Sequence, residues 1–183
     1  MSRSLIFGSM LVCVVLMQPA MASDYDTTIA EFRKAVESQG LFETAYGYAV
    51  FPTIGKGGFV VGAAHGNGRV YRGGAATGTT TLTQLSVGFQ IGGEAFSQII
   101  FFENQAAYDR FTDGNFEFSA QAQAVAIVIG AQAQTGTTGT SAGAGDTQFR
   151  GVYENGMAVF IKIKGGLMYE ASVAGQKFTF ETL

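Results

Sequence analysis

A glycine cluster between two apolar stretches most constrains how this chain can fold. Residues 46–62 begin with an apolar stretch that reaches Pro52, continue into glycines around Lys56 and end in a second apolar stretch. Glycine permits backbone conformations and close backbone contacts that other residues resist. The chain has 26 glycines and 2 prolines. This composition favours many turns and tightly packed strands over a disordered linker.

The first 22 residues are predicted to be a secretory signal peptide. Arg3 provides a positive start, residues 5–17 are mainly apolar, and Ala20 and Ala22 form a small-x-small cleavage site. The apolar run is too short for a transmembrane helix of roughly 20 residues. We therefore expect cleavage after Ala22, secretion across the inner membrane, and a periplasmic domain over residues 23–183, either free or associated with a membrane.

Composition narrows the partners of this domain. Cys13 is the only cysteine and lies inside the predicted signal peptide, so the domain is expected to lack disulfides. Export without disulfides fits a bacterial periplasm. Without Arg3, residues 23–183 carry 10 basic and 14 acidic residues, a net charge of −4. This charge argues against nucleic acid as a partner.

Two helices are predicted. A capping box from Thr28 to Glu31 predicts a helix over residues 27–39 that ends at Gly40. Residues 104–111 are predicted to form a shorter helix that closes at a glycine. The inward residues are predicted to be Ile29, Phe32 and Val36 in the first helix and Ala107, Tyr108 and Phe111 in the second.

The first strands are predicted from apolar runs and alternation. Residues 59–64 are apolar on both faces, which predicts a covered strand, and residues 65–68 predict a turn. Residues 84–92 alternate between apolar and polar or glycine positions, which predicts a strand with one buried face. The predicted buried side chains are Leu85, Val87, Phe89 and Ile91.

The C-terminal part predicts further strands. Residues 157–164 alternate, and residues 167–173 and 177–181 are predicted strands separated by glycine turns at 165–166 and 175. The pattern does not decide between helix and strand for residues 118–134. The whole predicts an α+β single domain, with a mostly antiparallel glycine-rich sheet (a sandwich or partly closed barrel) and two helices.

No catalytic or metal-binding motif is convincing. His65 is the only histidine, too few for a zinc site, and the acidic residues are scattered. The glycines around Lys56 lack the spacing of a phosphate-binding loop. Gly139-x-Ser141-x-Gly143 matches a nucleophile elbow in form, but it lies in a low-complexity tract and His65 precedes the serine, the reverse of the expected order. We predict no enzymatic activity and no cofactor.

The candidate binding residues are cations and the glycines beside them. Lys56 lies among glycines whose N–H groups could bind an anion, although a solvated turn lysine explains the same pattern. The other cations occur two or three residues apart on strands, which is typical of a water-facing edge unless they converge with Lys56. The 16 phenylalanines suit a core, an acyl groove or an exposed patch. The predicted lipid-binding set is Lys56, Gly57, Gly58, Arg69, Arg72, Lys162 and Lys164.

These motifs, taken in order, resemble the SYLF domain over residues 40–183. The opening is carried by Ala49-Val-Phe-Pro52, Lys56-Gly-Gly-Phe59, Gly62 and Gly66-x-Gly68. The later pieces are residues 88–93, residues 102–111 and residues 153–165. The resemblance implies a non-enzymatic domain. Its eukaryotic members bind phosphoinositides and associate with actin patches, and its bacterial members are exported proteins proposed to bind phospholipid.

The expected function is therefore binding of phospholipid, at a periplasmic membrane surface or in a groove. Two departures reduce the expected preference for phosphoinositides, because no basic amphipathic helix precedes the domain and the C-terminal segment is short. Two alternatives remain open: a small outer-membrane β-barrel, and a structural or adhesive envelope protein with no small ligand. The sequence identifies no protein partner.

Overall fold

The computed structural model of the chain describes residues 23–118, 127–129 and 153–183. The predicted signal peptide, the serine of the elbow-like motif and most of residues 118–134 lie outside this part. The described part contains three helices and five strands. The helices are α1 (Asp24–Lys34), α2 (Leu41–Thr44) and α3 (Gln105–Thr112), and the strands are β1 (Gly47–Arg72), β2 (Ala75–Phe102), β3 (Phe116–Phe118), β4 (Ile127–Val128) and β5 (Met157–Thr182).

The strands form one sheet that is not closed. Its order is β1-β2-β5-β3 with antiparallel neighbours, and β4 pairs with β5 in parallel. β1 turns into β2 at Gly73 and Gly74, which have φ angles of 58° and 82° that favour glycine. The predicted α+β class, with a mostly antiparallel sheet and two helices of ordinary length, is confirmed.

The strands are longer than predicted, because the expected turns at residues 65–68, 165–166 and 175 lie inside β1 and β5. The glycines in β1 instead allow its two halves to meet. A Cβ on Gly66 would lie 2.6 Å from Ile54 Cγ1, and one on Gly68 would lie 2.6 Å from the Phe51 ring. The sheet therefore folds over and packs its inner face against itself.

The bend is accompanied by irregular pairing. The register of β1 with β2 shifts between Phe51 and Ile54 and again between Phe59 and Val61. Pro52 lies at the first shift, where a residue without an N–H is tolerated, and its carbonyl accepts a hydrogen bond from Ser97 Oγ at 2.9 Å. β1 therefore continues through Pro52 instead of ending there.

One hydrophobic core fills the inside of the folded sheet, and α3 packs against it. Asn104 caps α3 by accepting a hydrogen bond from the backbone N–H of Ala107 at 3.0 Å. The predicted inward residues of this helix are confirmed. The large buried side chains of this inner core include Phe51, Phe102, Tyr108, Phe111, Met157 and Phe178.

A second core lies on the outer face of the sheet, under α1 and α2. It includes Ile29, Phe32, Leu41, Tyr48, Phe101 and Phe160. The boundaries predicted for the first helix are wrong. Its capping box joins Ser23 to Asp26, and α1 ends at Lys34, so Val36 lies outside the helix with 68% of its surface exposed. The Ser23 hydroxyl, five residues before the predicted cap at Thr28, instead accepts a hydrogen bond from the Asp26 N–H in the first turn.

Tyr153 makes the stability of this fold sensitive to alkaline pH. Burial, aided by the nearby Glu103 carboxylate, raises the pKa of Tyr153 from 10.0 to about 12. The folded state therefore holds the phenolic proton more tightly than the unfolded state. Its contribution is complete below pH 10 and is lost as the pH rises towards about 12.

We expect Tyr153→Phe to reduce the fall in unfolding free energy between about pH 10 and pH 12, measured by urea denaturation. Some decline will remain, because burial also raises the pKa of Tyr48 and of Tyr71. An alkaline decline identical to that of the unaltered protein would contradict this assignment.

Candidate functional site

The sharpest feature of the sheet is a kink in β1 between Gly58 and Gly62. A Cβ on Gly58 would overlap Gly62 Cα and lie 2.6 Å from the carbonyl oxygen of Val61. Val60, between them, has a φ angle of 65°, which is unfavourable for a β-branched residue. The chain therefore doubles back at this point, and residues 59–61 project from the folded sheet.

An apolar surface covers the outside of this kink. We call it the apolar bend, and it consists of Phe59, Val60, Val61, Leu85, Val87 and Ile91. Phe59 is 71% exposed, Leu85 64% and Val87 65%. Phe59 pairs with Ile91 across the strands, and Val61 pairs with Val87, so residues of both strands lie side by side.

The interior of the same region is polar, which is the reverse of what the alternation in residues 84–92 predicted. Gln84 and Ser86 are buried, whereas Leu85, Val87 and Ile91 are exposed. Gln176 donates a hydrogen bond to Gln84 Oε1 at 2.9 Å and accepts one from Gln98 at 3.4 Å. These bonds offset the cost of burying amides, so the polar face can point inward.

The prediction for residues 59–64 is also wrong. Phe59, Val61 and Ala63 face outward, and only Gly62 and Ala64 are buried. The apolar residues of this run were expected to be covered on both faces. No element among the described residues covers the outer face here, because α1 and α2 pack further along the sheet, against Tyr48, Val50 and Phe101.

A shallow hollow lies next to the apolar bend and contains Lys56. Glycines form most of its walls, so they present few side chains. The lining residues are Gly55, Lys56, Gly57, Gly93, Glu94, Ala95, Gly165 and Gly166. Lys56 pairs with Glu94 in the strand register, which places one charge of each sign in the hollow. Among the predicted binding residues, Lys56 and Gly57 line this hollow and Gly58 follows at the kink.

Lys164 adds a second cation beside the hollow. It immediately precedes the lining residue Gly165, and its Nζ donates a hydrogen bond to Thr53 Oγ1 at 3.1 Å. This hydrogen bond joins an exposed lysine of β5 to the part of β1 that precedes the kink. Lys56 and Lys164 therefore both belong to the neighbourhood of the hollow.

The other predicted cations have different neighbours. Lys162 forms a salt bridge with Glu31 of α1, with 3.1 Å between Nζ and Oε1. The Arg69 guanidinium lies 4.5 Å from the ring centre of Tyr25, and that of Arg72 lies 5.4 Å from that of Tyr108. Helices α1 and α3 therefore engage these three side chains. Their role in lipid binding stays a prediction.

The apolar bend is not among the sites predicted from the sequence, although its signal is visible there. Residues 57–64 contain no charged residue, and residues 75–93 contain none either. Long charge-free strands that pair with each other are expected to be covered on at least one face. The pairing alone does not tell which face is covered, since that depends on how the sheet bends.

The described part of the chain contains neither a candidate metal site nor a helix that could span a membrane. No group of three or more histidine, cysteine, aspartate or glutamate residues there could hold a metal ion. None of the helices in residues 23–118, 127–129 and 153–183 has the length and apolar character needed to cross a bilayer.

These features define a class: an α+β protein whose folded glycine-rich sheet presents an uncharged apolar bend beside a lysine-containing hollow. A family model described as Ysc84, Las17-binding protein actin regulator, matches residues 83–182, more than half of the chain. The chain belongs to this family, the SYLF domain family that its motifs indicated. Neither the curated proteins nor the solved structures gave a match.

Proposed function

We propose that this protein is a non-enzymatic module that binds phospholipid at the periplasmic surface of a membrane after export. Membership of the SYLF family supports a lipid- or actin-associated module without catalysis. The observation that carries the proposal is the glycine-walled hollow with Lys56 inside it and Lys164 beside it. A small anionic group can reach such a wall, because glycines leave the backbone uncovered.

The interior of the folded sheet favours surface binding over enclosure of an acyl chain. Phe51, Phe111 and Phe178 are fully buried there, and the Phe178 ring contacts those of Phe111 and Phe51 at centroid distances of 5.2 and 5.8 Å. Space occupied by these side chains is closed to a lipid tail. A headgroup would instead meet the hollow from outside, with its phosphate near Lys56 and Lys164.

Family membership also suggests that the partner could be a protein. The family description names binding to Las17 and regulation of actin. An exported protein would not meet actin, so we favour the lipid surface, and a protein of the envelope remains the second candidate. If the protein does not bind vesicles but captures a defined envelope protein in a pull-down, that result would support the second candidate over the first.

The test is co-sedimentation with vesicles of phosphatidylglycerol, phosphatidylethanolamine, phosphatidylcholine and their mixtures. We expect the protein to pellet with vesicles that contain an anionic lipid, and the bound fraction to decrease as salt is added. A protein that stays in the supernatant with every composition would overturn the proposal.

The lysines of the hollow give a sharper prediction. Replacing both with Lys56→Gln and Lys164→Gln should weaken binding to anionic vesicles about tenfold or more, since a basic residue near an anionic surface contributes roughly 1 kcal/mol. The matched control, Lys34→Gln with Lys177→Gln, changes the net charge equally at two exposed lysines outside the predicted binding set. Equal losses in the two double variants would mean that only the net charge matters and would remove the hollow from the site.

A further inference from the structure

We propose that the apolar bend inserts into the outer hydrocarbon layer of a phospholipid bilayer. This inference rests on the proposed function, because it names the part of the molecule that meets the lipid tails. Insertion adds an apolar contact with the lipid tails to the polar contact that the hollow makes with the headgroup. The two contacts are neighbours in the sheet, since Lys56 to Phe59 pair with Glu94 to Ile91 in one unbroken register.

The exposure of the bend is unusual for this protein. Its six residues are all large and apolar, and they account for most of the exposed large hydrophobic side chains of the described residues. The others are Val36, Ile163 and Leu183. Val36 and Leu183 lie outside the sheet's strands, whereas the bend is a continuous surface across two strands. Contiguous exposed apolar surface of this kind marks a site of interaction.

The charge pattern selects hydrocarbon as the occupant. The strand segments that form the bend, residues 57–64 and 75–93, carry no charged residue. The charged residues lie at one side of the bend, where Lys56 pairs with Glu94 across the strands and Lys164 lies nearby. A bilayer has the same order of chemistry, with uncharged tails beneath anionic phosphates, so both contacts can form at once.

The shape of the bend argues against a second copy of this chain. The apolar residues lie on the outside of a kink where Gly58 and Gly62 meet, so the surface is convex. Two convex surfaces touch over a small area, whereas a stable protein interface buries about 800 Å² on each partner. A deformable bilayer adapts to a convex surface, and the wedge of residues 59–61 can enter between headgroups.

The local backbone strain is consistent with this use. Val60 holds a φ angle of 65°, which is costly for a β-branched residue. The residue is also 51% exposed. Strain of this kind persists where the surrounding structure enforces it and is concentrated at functional sites. At this position it directs three consecutive apolar side chains away from the protein.

The first arm of the experiment compares two valines of similar exposure. Val87→Asp places a charge in the bend, and Val36→Asp places one at a site that is 68% exposed but remote from it. Vesicles of mixed phosphatidylglycerol and phosphatidylethanolamine are the probe. We expect the first variant to bind at least tenfold more weakly and the second to bind within about twofold of the unaltered protein. Circular dichroism establishes that both variants fold.

The second arm of the experiment measures whether the apolar bend enters the hydrocarbon layer of the bilayer. The chain contains no tryptophan, so Phe59→Trp introduces a single fluorescent reporter in the bend, and Val36→Trp provides the matched control. On addition of vesicles we expect the emission of the first variant to shift to shorter wavelength and to be quenched by lipids brominated on their acyl chains. The emission of the control should do neither.

The outcomes separate this inference from the proposed function. Binding to vesicles with an unchanged Phe59→Trp emission, or with equal affinities of the two aspartate variants, overturns insertion and leaves headgroup binding in place. An absence of binding to every vesicle overturns both. A concentration-dependent dimer that Val87→Asp dissociates would assign the apolar bend to a second copy and would overturn insertion.

Discussion

Gly58→Ala is expected to destabilise the protein by about 3 kcal/mol, because the new methyl group has no space at the kink. Its Cβ would overlap Gly62 Cα and lie 2.6 Å from the Val61 carbonyl oxygen. Both obstacles are backbone atoms, so no side-chain rotation relieves the overlap. The two arms of β1 would have to separate, and the apolar bend would lose its shape.

Gly55→Ala is the matched control, since a Cβ at that position meets nothing within 4 Å. It should change stability by no more than about 0.5 kcal/mol. Urea denaturation of the two variants measures the difference. If Gly58→Ala were as stable as Gly55→Ala, the close approach of Gly58 and Gly62 would be incorrect, and the exposure of residues 59–61 would lose its structural basis.

Phe178→Ala should lower the unfolding free energy by about 3–5 kcal/mol, the usual cost of emptying a buried phenylalanine site. Phe178 is fully buried at the centre of the inner core. Its ring contacts those of Phe51, Phe111, Phe116 and Phe118, with centroid distances from 5.2 to 6.0 Å. These partners come from β1, α3 and β3, so one truncation loosens the contact of three elements.

The same chemical change at Phe59 supplies the control. Phe59 is 71% exposed, so Phe59→Ala should alter stability by less than about 0.5 kcal/mol while weakening vesicle binding. The pair thus separates the phenylalanine that holds the fold from the one assigned to lipid. A large loss of stability in Phe59→Ala would mean that this side chain is buried.

The sequence predicts the elements of this fold better than it predicts their orientation. Helix α3 and its three inward residues followed from the 3.6-residue spacing of Ala107, Tyr108 and Phe111, because only one face of a short helix is apolar. The alternation in residues 84–92 correctly indicates a strand. It defines two faces, however, and does not decide which of them meets the protein interior.

That choice depends on contacts between residues far apart in the chain. A polar inward face of β2 is tolerated because Gln176 forms hydrogen bonds with Gln84 and Gln98. No local sequence pattern indicates this pairing. The turns predicted at several glycines are wrong for the same reason, because these glycines serve contacts between distant parts of the chain. Gly66 and Gly68 serve close packing against Ile54 and Phe51, which becomes visible only when the sheet folds over.

The candidate site shows the same division. Lys56 and Gly57, which the sequence singles out as neighbours in the chain, line the hollow, and Gly58 lies at the adjacent kink. Lys164 joins them through a hydrogen bond that spans 111 positions in the chain. The spacing of Arg69, Arg72 and Lys162 gave no indication that aromatic rings and Glu31 engage them, since those partners come from helices elsewhere in the chain.

The position of β5 between β2 and β3 has a consequence for biogenesis. β1 and β2 are consecutive and form a hairpin as soon as both are synthesised, but β2 gains its other neighbour only when residues 157–182 emerge. Until then the free edge of β2 is open to any other extended chain. Such delayed, long-range pairing makes folding slow and vulnerable to aggregation. We therefore expect newly made protein to depend on a holding chaperone until the last long strand is in place.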